Sequence, residues 1–505
     1  MQERIAKKPR KWQFLPPPFV RAMLAGHSAL GIAFAALIYI VCLSGTLAVF
    51  VGELQRWEQP NAPVVSATPS PEAVGAVVDA AYRAAVADNA AHDLFIMGPG
   101  NGHERFFVSY HDHDTGGEGE WLADSAGTLV VRSHVPWSEF IANLHMHLHL
   151  PRTWGFFLVG LTGVALLSSL ISGLLSHPRI FKDAFALRWG GSYRLQEADL
   201  HNRLGVWGLP FHVVVSTTGA LLGLSTLIVG VLAMAAYDGD SEKAFATILG
   251  PRATESETQA PVPDVAAMIR TVQAQHPGAE FTSANFQHIT KAGQVVHLGM
   301  RTPGHLAMAN TYYFDGSGKL LGDGGLETGG IGQQILGALQ PLHFGWFGGL
   351  PVKLAYGVLG LALTIVTHSG IAIWLARRRD SGRALPGWEK VWAAVTWGQP
   401  LAFATTALAI FAFGEKAALA AYIATVVITL LLAALPVSNW RTLSRLLQGL
   451  TALTVLAAVA VNAYRWTGRH DDPTAIGVSV SFLLVALLVL VIAVRGSILP
   501  RHAGS

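Results

Sequence analysis

Residues 27–45 read HSALGIAFAALIYIVCLSG, and residues 201–219 read HNRLGVWGLPFHVVVSTTG. Each stretch opens on a histidine, has a glycine four residues later and another eighteen residues later, and is otherwise largely apolar. A second pair of stretches follows in the same order. Leu144-His145 precedes Gly163 and Ser172-Gly173, and Leu342-His343 precedes Gly360 and Ser369-Gly370, with a register difference of one residue. Together these stretches define an internal repeat of helix, loop, helix. The first copy covers roughly residues 24–176 and the second roughly 198–376.

Working outward, 51% of the 505 residues are hydrophobic and 13% charged, a balance far more apolar than that of a soluble globular chain. Crossing about 30 Å of hydrocarbon takes roughly 20 helical residues. The apolar runs of that length predict a polytopic α-helical membrane protein of about eight transmembrane helices, with two small α+β domains in the long loops. Lys and Arg set the orientation. With the N-terminus inside, the inner segments hold 20 of the 35 Lys and Arg residues, so both termini are expected on the cytoplasmic side. The apolar stretch after the basic start MQERIAKKPRKWQ is too long for a signal-peptide core, so helix 1 is expected to remain as an anchor.

The expected division is as follows. A basic N-terminus (1–23) leads to helix 1 (24–53), a first outer domain (54–154), helix 2 (155–176) and an inner loop (177–203). Helix 3 (204–236), a second outer domain (237–352), helix 4 (353–376), an inner loop (377–391) and an accessory four-helix bundle (392–505) follow. Each outer loop has an amphipathic stretch, SPEAVGAVVDAAYRAAV or PVPDVAAMIRTVQAQH, before short alternating segments, with hairpin turns at Asp124–Gly127 and Asp315–Gly318.

The single cysteine, Cys42, excludes an intramolecular disulfide, a thiolate iron–sulfur centre and the C-x-x-C-H attachment of c-type haem. Metal chemistry falls to the 20 histidines. Two copies entering the membrane from the same side are related by an axis along its normal, so equivalent residues face each other at equal depth. His27 should then meet His201 near the inner face, and His145 should meet His343 near the outer face. Two imidazoles from facing helices are what a six-coordinate haem iron requires. The plain alternative is that these histidines sit at interfacial helix ends without a ligand. His149, one turn after His145, is an alternative ligand or a propionate contact, and His177, His212 and His368 within helix 4 are each an alternative ligand, a haem-edge hydrogen-bond partner or a packed core residue. The run His111-Asp-His-Asp114 fits a divalent-metal site or, as the ordinary reading, a solvated turn. The net charge of +3 is accounted for by the inner loops, and nucleic acid is not expected as a partner.

The stretches HSALGIAF, SGTLAVF, LHMHLHLP, SGLLSHPRIFKDAFALRWG, ADLHNRLGVWGLPFH, STTGALL and LHFGWFGG resemble the PepSY-associated transmembrane family, which includes bacterial ferric-siderophore reductases. The resemblance covers about three quarters of the chain. It implies PepSY-type folds for the two periplasmic domains, two b-type haems, a bacterial inner-membrane location and electron delivery to a periplasmic acceptor such as a ferric siderophore. His27, His145, His201 and His343 occupy the motif histidines of the family. His368 stands before Ser-Gly, where a non-histidine residue is commoner, and the last four helices match only longer members.

The expected function is therefore a transmembrane electron-transfer reductase. Hard, oxygen-rich chelators hold Fe(II) less tightly than Fe(III), so reduction would release iron. No nucleotide or flavin fingerprint is present in the inner loops, so the donor is expected to be separate, a quinol or a flavoprotein. A non-redox periplasmic binding regulator and a siderophore transporter are the alternatives. The near absence of acidic residues within the apolar runs speaks against the transporter. Trp57, Trp121, Trp137 and Trp346 are candidate acceptor contacts.

Overall fold

The computed structural model describes residues 15–65, 68–100, 103–177, 184–185, 192–436, 439–468 and 472–498. The basic start, parts of the 177–203 loop and the end from residue 499 lie outside these, with several of the Lys and Arg residues that set the expected orientation. The first copy of the repeat contains α1 (Pro17–Ala48), α2 (Val51–Glu58), α3 (Pro71–Ala87), β1 (Asp93–Met97), β2 (Phe106–His111), β3 (Glu118–Ala123), β4 (Leu129–Arg132), α4 (Pro136–His147) and α5 (Arg152–Ser176). The second contains α6 (Tyr193–Trp207), α7 (Leu209–Gly223), α8 (Ser225–Ala236), α9 (Ser241–Leu249), α10 (Val265–Gln275), β5 (Glu280–Gln287), β6 (Val295–Arg301), β7 (Asn310–Asp315), β8 (Leu320–Asp323), α11 (Ile331–Phe344) and α12 (Gly349–Asp380). Four further helices follow: α13 (Pro386–Phe413), α14 (Ala418–Ala434), α15 (Trp440–Arg465) and α16 (Pro473–Ile498).

Among the described residues, 7 helices are long and apolar enough to cross a membrane, or 8 if α6 and α7 form one bent span. The chain is a polytopic helical membrane protein carrying an antiparallel sheet. The expected third helix, a single run over 204–236, is instead three helices, with α6 and α7 meeting at 71°. Pro210 explains the break. It lies in the first turn of α7, lacks the N–H that a continuous helix would direct to residue 206, and crowds that carbonyl. The first copy has Ala36 at the matching position and runs unbroken through α1. The His212 ring packs under the bend, where a Cβ on Gly208 would lie 2.5 Å from it.

The two long loops join into one eight-stranded sheet, ordered β4-β3-β2-β1-β5-β6-β7-β8. Each loop supplies four strands and one covering helix, but the two halves are not separate units. β1 pairs antiparallel with β5, Leu94 opposite Phe286 and Ile96 opposite Ala284, as neighbouring copies related by a two-fold axis must. Without that seam each half would present an unpaired edge. α3 and α10 begin on matching N-caps, Ser70 Oγ accepting from the Ala73 amide and Asp264 Oδ1 from that of Ala267. Both helices cover one face of the sheet. Val74, Val77 and Ala81 share a continuous core with Met268, Ile269 and Val272, over Ile96, Phe106, Phe286, Leu298 and Phe314. The turns anticipated at Asp124 and Asp315 form, each aspartate accepting amide hydrogen bonds from two and four residues ahead.

The last four helices pack onto the repeat through α2 and α4 of the first copy and α12 of the second. Trp57 is fully buried among Trp137, Phe411 and Phe482. Arg56 makes a two-pronged pair with Asp472 at 2.8 and 2.6 Å and also bonds Glu104. Glu58 closes α2 and opens α4, accepting from the amides of Trp137 at 2.8 Å and Ser138 at 2.6 Å and from the Ser138 hydroxyl. Burial nevertheless pushes the Glu58 carboxyl up to about 7, and burial among other acids does the same for Glu139. Both carboxyls then hold protons more readily in the folded chain than in the unfolded one. Their contribution to stability is complete below a pH of about 4.5 and is lost as the pH rises through about 7. The midpoint of thermal unfolding in detergent should fall from about pH 5 to about pH 8. Glu58→Ala should make that slope shallower and cost about 2–3 kcal/mol, since three donors lose their acceptor. An unchanged midpoint and slope would refute this role.

Candidate cofactor site: two facing histidine pairs

His27 lies on α1 and His201 on α6, and their ring centres are 6.1 Å apart. His145 lies near the end of α4 and His343 near the end of α11, with ring centres 6.0 Å apart. An iron about 2.0 Å from each of two imidazole nitrogens, with each ring centre about 1.1 Å further on, requires about 6.2 Å between centres. Both spacings are of that size.

Each ring is fixed by the same device. Nδ1 of His27 bonds the Ser169 carbonyl, that of His145 the Val41 carbonyl, and that of His201 the Val366 carbonyl, all at 2.9 Å. Nδ1 of His343 bonds the Thr218 hydroxyl at 2.9 Å. A glycine one turn beyond each carbonyl, or next to Thr218, lets the ring lie against the helix. A Cβ on Gly173 would come within 3.1 Å of the His27 ring, on Gly45 within 2.6 Å of His145, on Gly370 within 3.4 Å of His201 and on Gly219 within 3.0 Å of His343. With Nδ1 occupied as a donor, Nε2 keeps its lone pair for a metal. This outer hydrogen bond is the one that metal-ligating histidines ordinarily make.

Between the pairs lie two cavities. One of about 330 Å³ is lined by His27, His201, Gly173 and Gly370, and one of about 430 Å³ by His145, His343, Gly45 and Gly219. Ile38 and Leu166 border both. In the first cavity, Gly31 and Gly205, each four residues after its histidine, face space in which a Cβ would meet nothing within 4 Å. Such a flat, apolar wall suits a macrocycle. The chemistry and spacing of the donors and the shape of the walls fit a haem at each pair.

The other histidines are placed elsewhere, with one exception. His177 lines the first cavity alongside the His27/His201 pair. His149, at φ +53°, turns back so that Nε2 meets the Phe140 carbonyl at 2.9 Å, its ring stacked on Phe140. His212 is fully buried under the α6–α7 bend. His368 points to α13, with Nδ1 3.0 Å from the Thr396 hydroxyl and its ring parallel to Trp392. Trp57 and Trp137 are 1% and 4% exposed, so neither can touch a docked acceptor. Trp121 is tied to the Tyr110 hydroxyl under Arg132. Trp346 is half-buried and stacks on Phe344 at 4.4 Å, with His103 beyond it at 6.2 Å, so rings connect the second pair to the sheet. Burial, aided by Lys353, pushes His103 down to about 4 and keeps it neutral. Sequence reasoning missed Thr218, His103 and the role of the backing carbonyls. The spacing from histidine to glycine was the available signal.

The family model for the PepSY-associated TM region matches residues 24–377, both copies of the repeat. The chain belongs to that family. PepSY-associated membership accounts for the described α1–α12 core, whereas α13–α16 lie beyond the matched region. The chain is also 30% identical over 258 residues to the uncharacterized protein PA4219 of Pseudomonas aeruginosa, across 49% of this chain and 65% of that relative.

The cavity walls give a direct test. Gly31→Leu and Gly205→Leu should leave folding and thermal midpoint within about 0.5 kcal/mol of the wild type, since the new side chains meet open space. Both should lower the haem content of purified protein by one per chain. Full haem content in both variants would mean that nothing occupies that wall.

Proposed function

We propose that this PepSY-associated protein is a di-haem transmembrane electron-transfer reductase of the bacterial inner membrane, with both termini cytoplasmic. His27 and His201 would hold one b-type haem, His145 and His343 the other. Bound there, haem iron would supply one-electron redox chemistry that no side chain of the chain can. The observation that carries this reading is the shared geometry of the four imidazoles: two pairs at iron-spanning separation, each Nδ1 engaged and each ring seated on glycine.

The two sites suit the two sides of a membrane. On α1, His27 and the glycine that backs His145 are 18 residues apart, a rise of about 27 Å, close to the thickness of the hydrocarbon layer. His27 and His201 would serve the donor side, where a quinol or a flavoprotein delivers electrons. His145 and His343 would serve the sheet side, where a periplasmic acceptor docks. A ferric siderophore is the acceptor class favoured here, because reduction to Fe(II) weakens its hold on iron. The chain's own groups have definite tasks. The backing carbonyls and Thr218 orient the imidazoles and raise their basicity, the apolar walls exclude water, and Phe344, Trp346 and His103 connect the second pair to the sheet.

The test is a haem count with a reduced-minus-oxidised spectrum for the wild type and four single alanine variants. Wild type should contain about two low-spin, acid-acetone-extractable haems per chain. His145→Ala and His343→Ala should each lose one haem, keep donor-driven reduction of the other, and lose ferric-siderophore reduction. His27→Ala and His201→Ala should retain a haem that the donor no longer reduces. Wild-type protein from haem-replete cells that contains no haem would favour a non-redox binding protein. Two low-spin haems in all four variants would overturn the ligand assignment.

A further inference from the structure

A second cluster of histidines stands on the sheet, far in sequence from the paired ligands and independent of the haem reading. Asp93 opens β1 and His111 closes β2, and the two are direct cross-strand partners. Residues 112–117 then turn back. Asp112 Oδ1 accepts from the amides of Asp114 and Thr115, Gly116 takes φ +71°, and the Thr115 hydroxyl bonds the Asn89 carbonyl. The turn brings His113 Nε2 to 3.2 Å from His111 Nε2, while His111 Nε2 lies 3.7 Å from Asp93 Oδ2. One ligand atom from each of Asp93, His111 and His113 falls within 4.8 Å of the others.

We propose that Asp93, His111 and His113 bind a divalent first-row transition-metal ion of the zinc class. Two ligands about 2.0–2.1 Å from a tetrahedral zinc lie about 3.3 Å from each other, close to the separation of the two Nε2 atoms. Two imidazole lone pairs at that distance need a proton or a cation between them, and the carboxylate beside them favours the cation. The surroundings support the same site. The His288 amide donates to Asp93 Oδ1 at 3.0 Å, which holds the carboxylate with Oδ2 toward the imidazoles. His92 Nδ1 is shielded from solvent without a hydrogen bond, 3.3 Å from Asp93 Oδ1. His92 also packs 4.5 Å from the His288 ring and 6.1 Å from that of His113, beside the cluster. Two imidazoles and one carboxylate select zinc-class ions over Mg²⁺ and Ca²⁺, which take all-oxygen sets. The His111 and His113 side chains are exposed, so a coordination position remains open to water and the ion exchanges. The ion would also fasten the 112–117 turn to the seam between β1 and β5.

The test is zinc binding by the full-length protein as purified in detergent, after chelator treatment and in the presence of millimolar Mg²⁺. Wild type should bind one Zn²⁺ per chain that raises the thermal midpoint. Asp93→Asn and His113→Ala should each weaken that binding about tenfold or more, and the double variant His111→Ala/His113→Ala should abolish both the binding and the midpoint shift. His305→Ala, an exposed histidine outside the cluster, should change neither. The double variant keeps every backbone hydrogen bond of the turn, and an unshifted midpoint without zinc checks its folding. Wild-type zinc affinity in the folded double variant, or no zinc taken up by wild type, would overturn the proposal.

Discussion

Four times among the described residues an imidazole packs against a glycine of a neighbouring helix and bonds a polar group exposed beside it. Much else depends on that contact. A helix interior has no spare amide hydrogen, but its carbonyl oxygens retain a second lone pair, and a nearby glycine lets a ring approach closely enough to use it. The contact fixes each ring's rotation and tautomer at once. It also ties α1 to α5 and α4 to α1 in the first copy, and α6 to α12 and α11 to α7 in the second, so that each copy of the repeat seats its own two imidazoles. Facing pairs then arise from symmetry alone.

That symmetry extends out of the helices. The axis that brings His27 to His201 and His145 to His343 also pairs β1 with β5. A single antiparallel seam thus closes the sheet above the same interface that lines the cavities. The two halves of the chain are joined twice, by backbone hydrogen bonds in the sheet and by apolar packing around the cavities. Deviations from symmetry are local and have causes. Pro210 bends the second copy where Ala36 leaves the first straight, and His212 fills the space beneath the bend.

The four helices beyond the repeat are attached by polar contacts buried at the ends of the core. Arg56 with Asp472, Asn462 with the Trp57 carbonyl, and His368 with Thr396 each satisfy groups that would be costly to bury alone. Glu58 sits at the junction. It receives the first amides of α4, the helix that carries His145, and so the attachment of the accessory helices and the seating of one imidazole share a residue.

The sequence by itself determined the repeat, the apolar spans, the hairpin turns at Asp124 and Asp315 and the four histidines worth pairing, because each is a matter of composition or of local spacing. A ring backed by glycine leaves a trace in spacing, as with His27 and Gly45 or His201 and Gly219. The partner of each glycine is nevertheless across the fold, so the trace does not say that Gly45 serves His145 and not His27. Tertiary structure alone decided that pairing, the joining of two loops into one sheet, the burial of Trp57 and Trp137, and the inward turn of His149 toward Phe140. These depend on contacts between residues up to hundreds of positions apart, where the free energy lies in packing and hydrogen-bond satisfaction that no local pattern encodes.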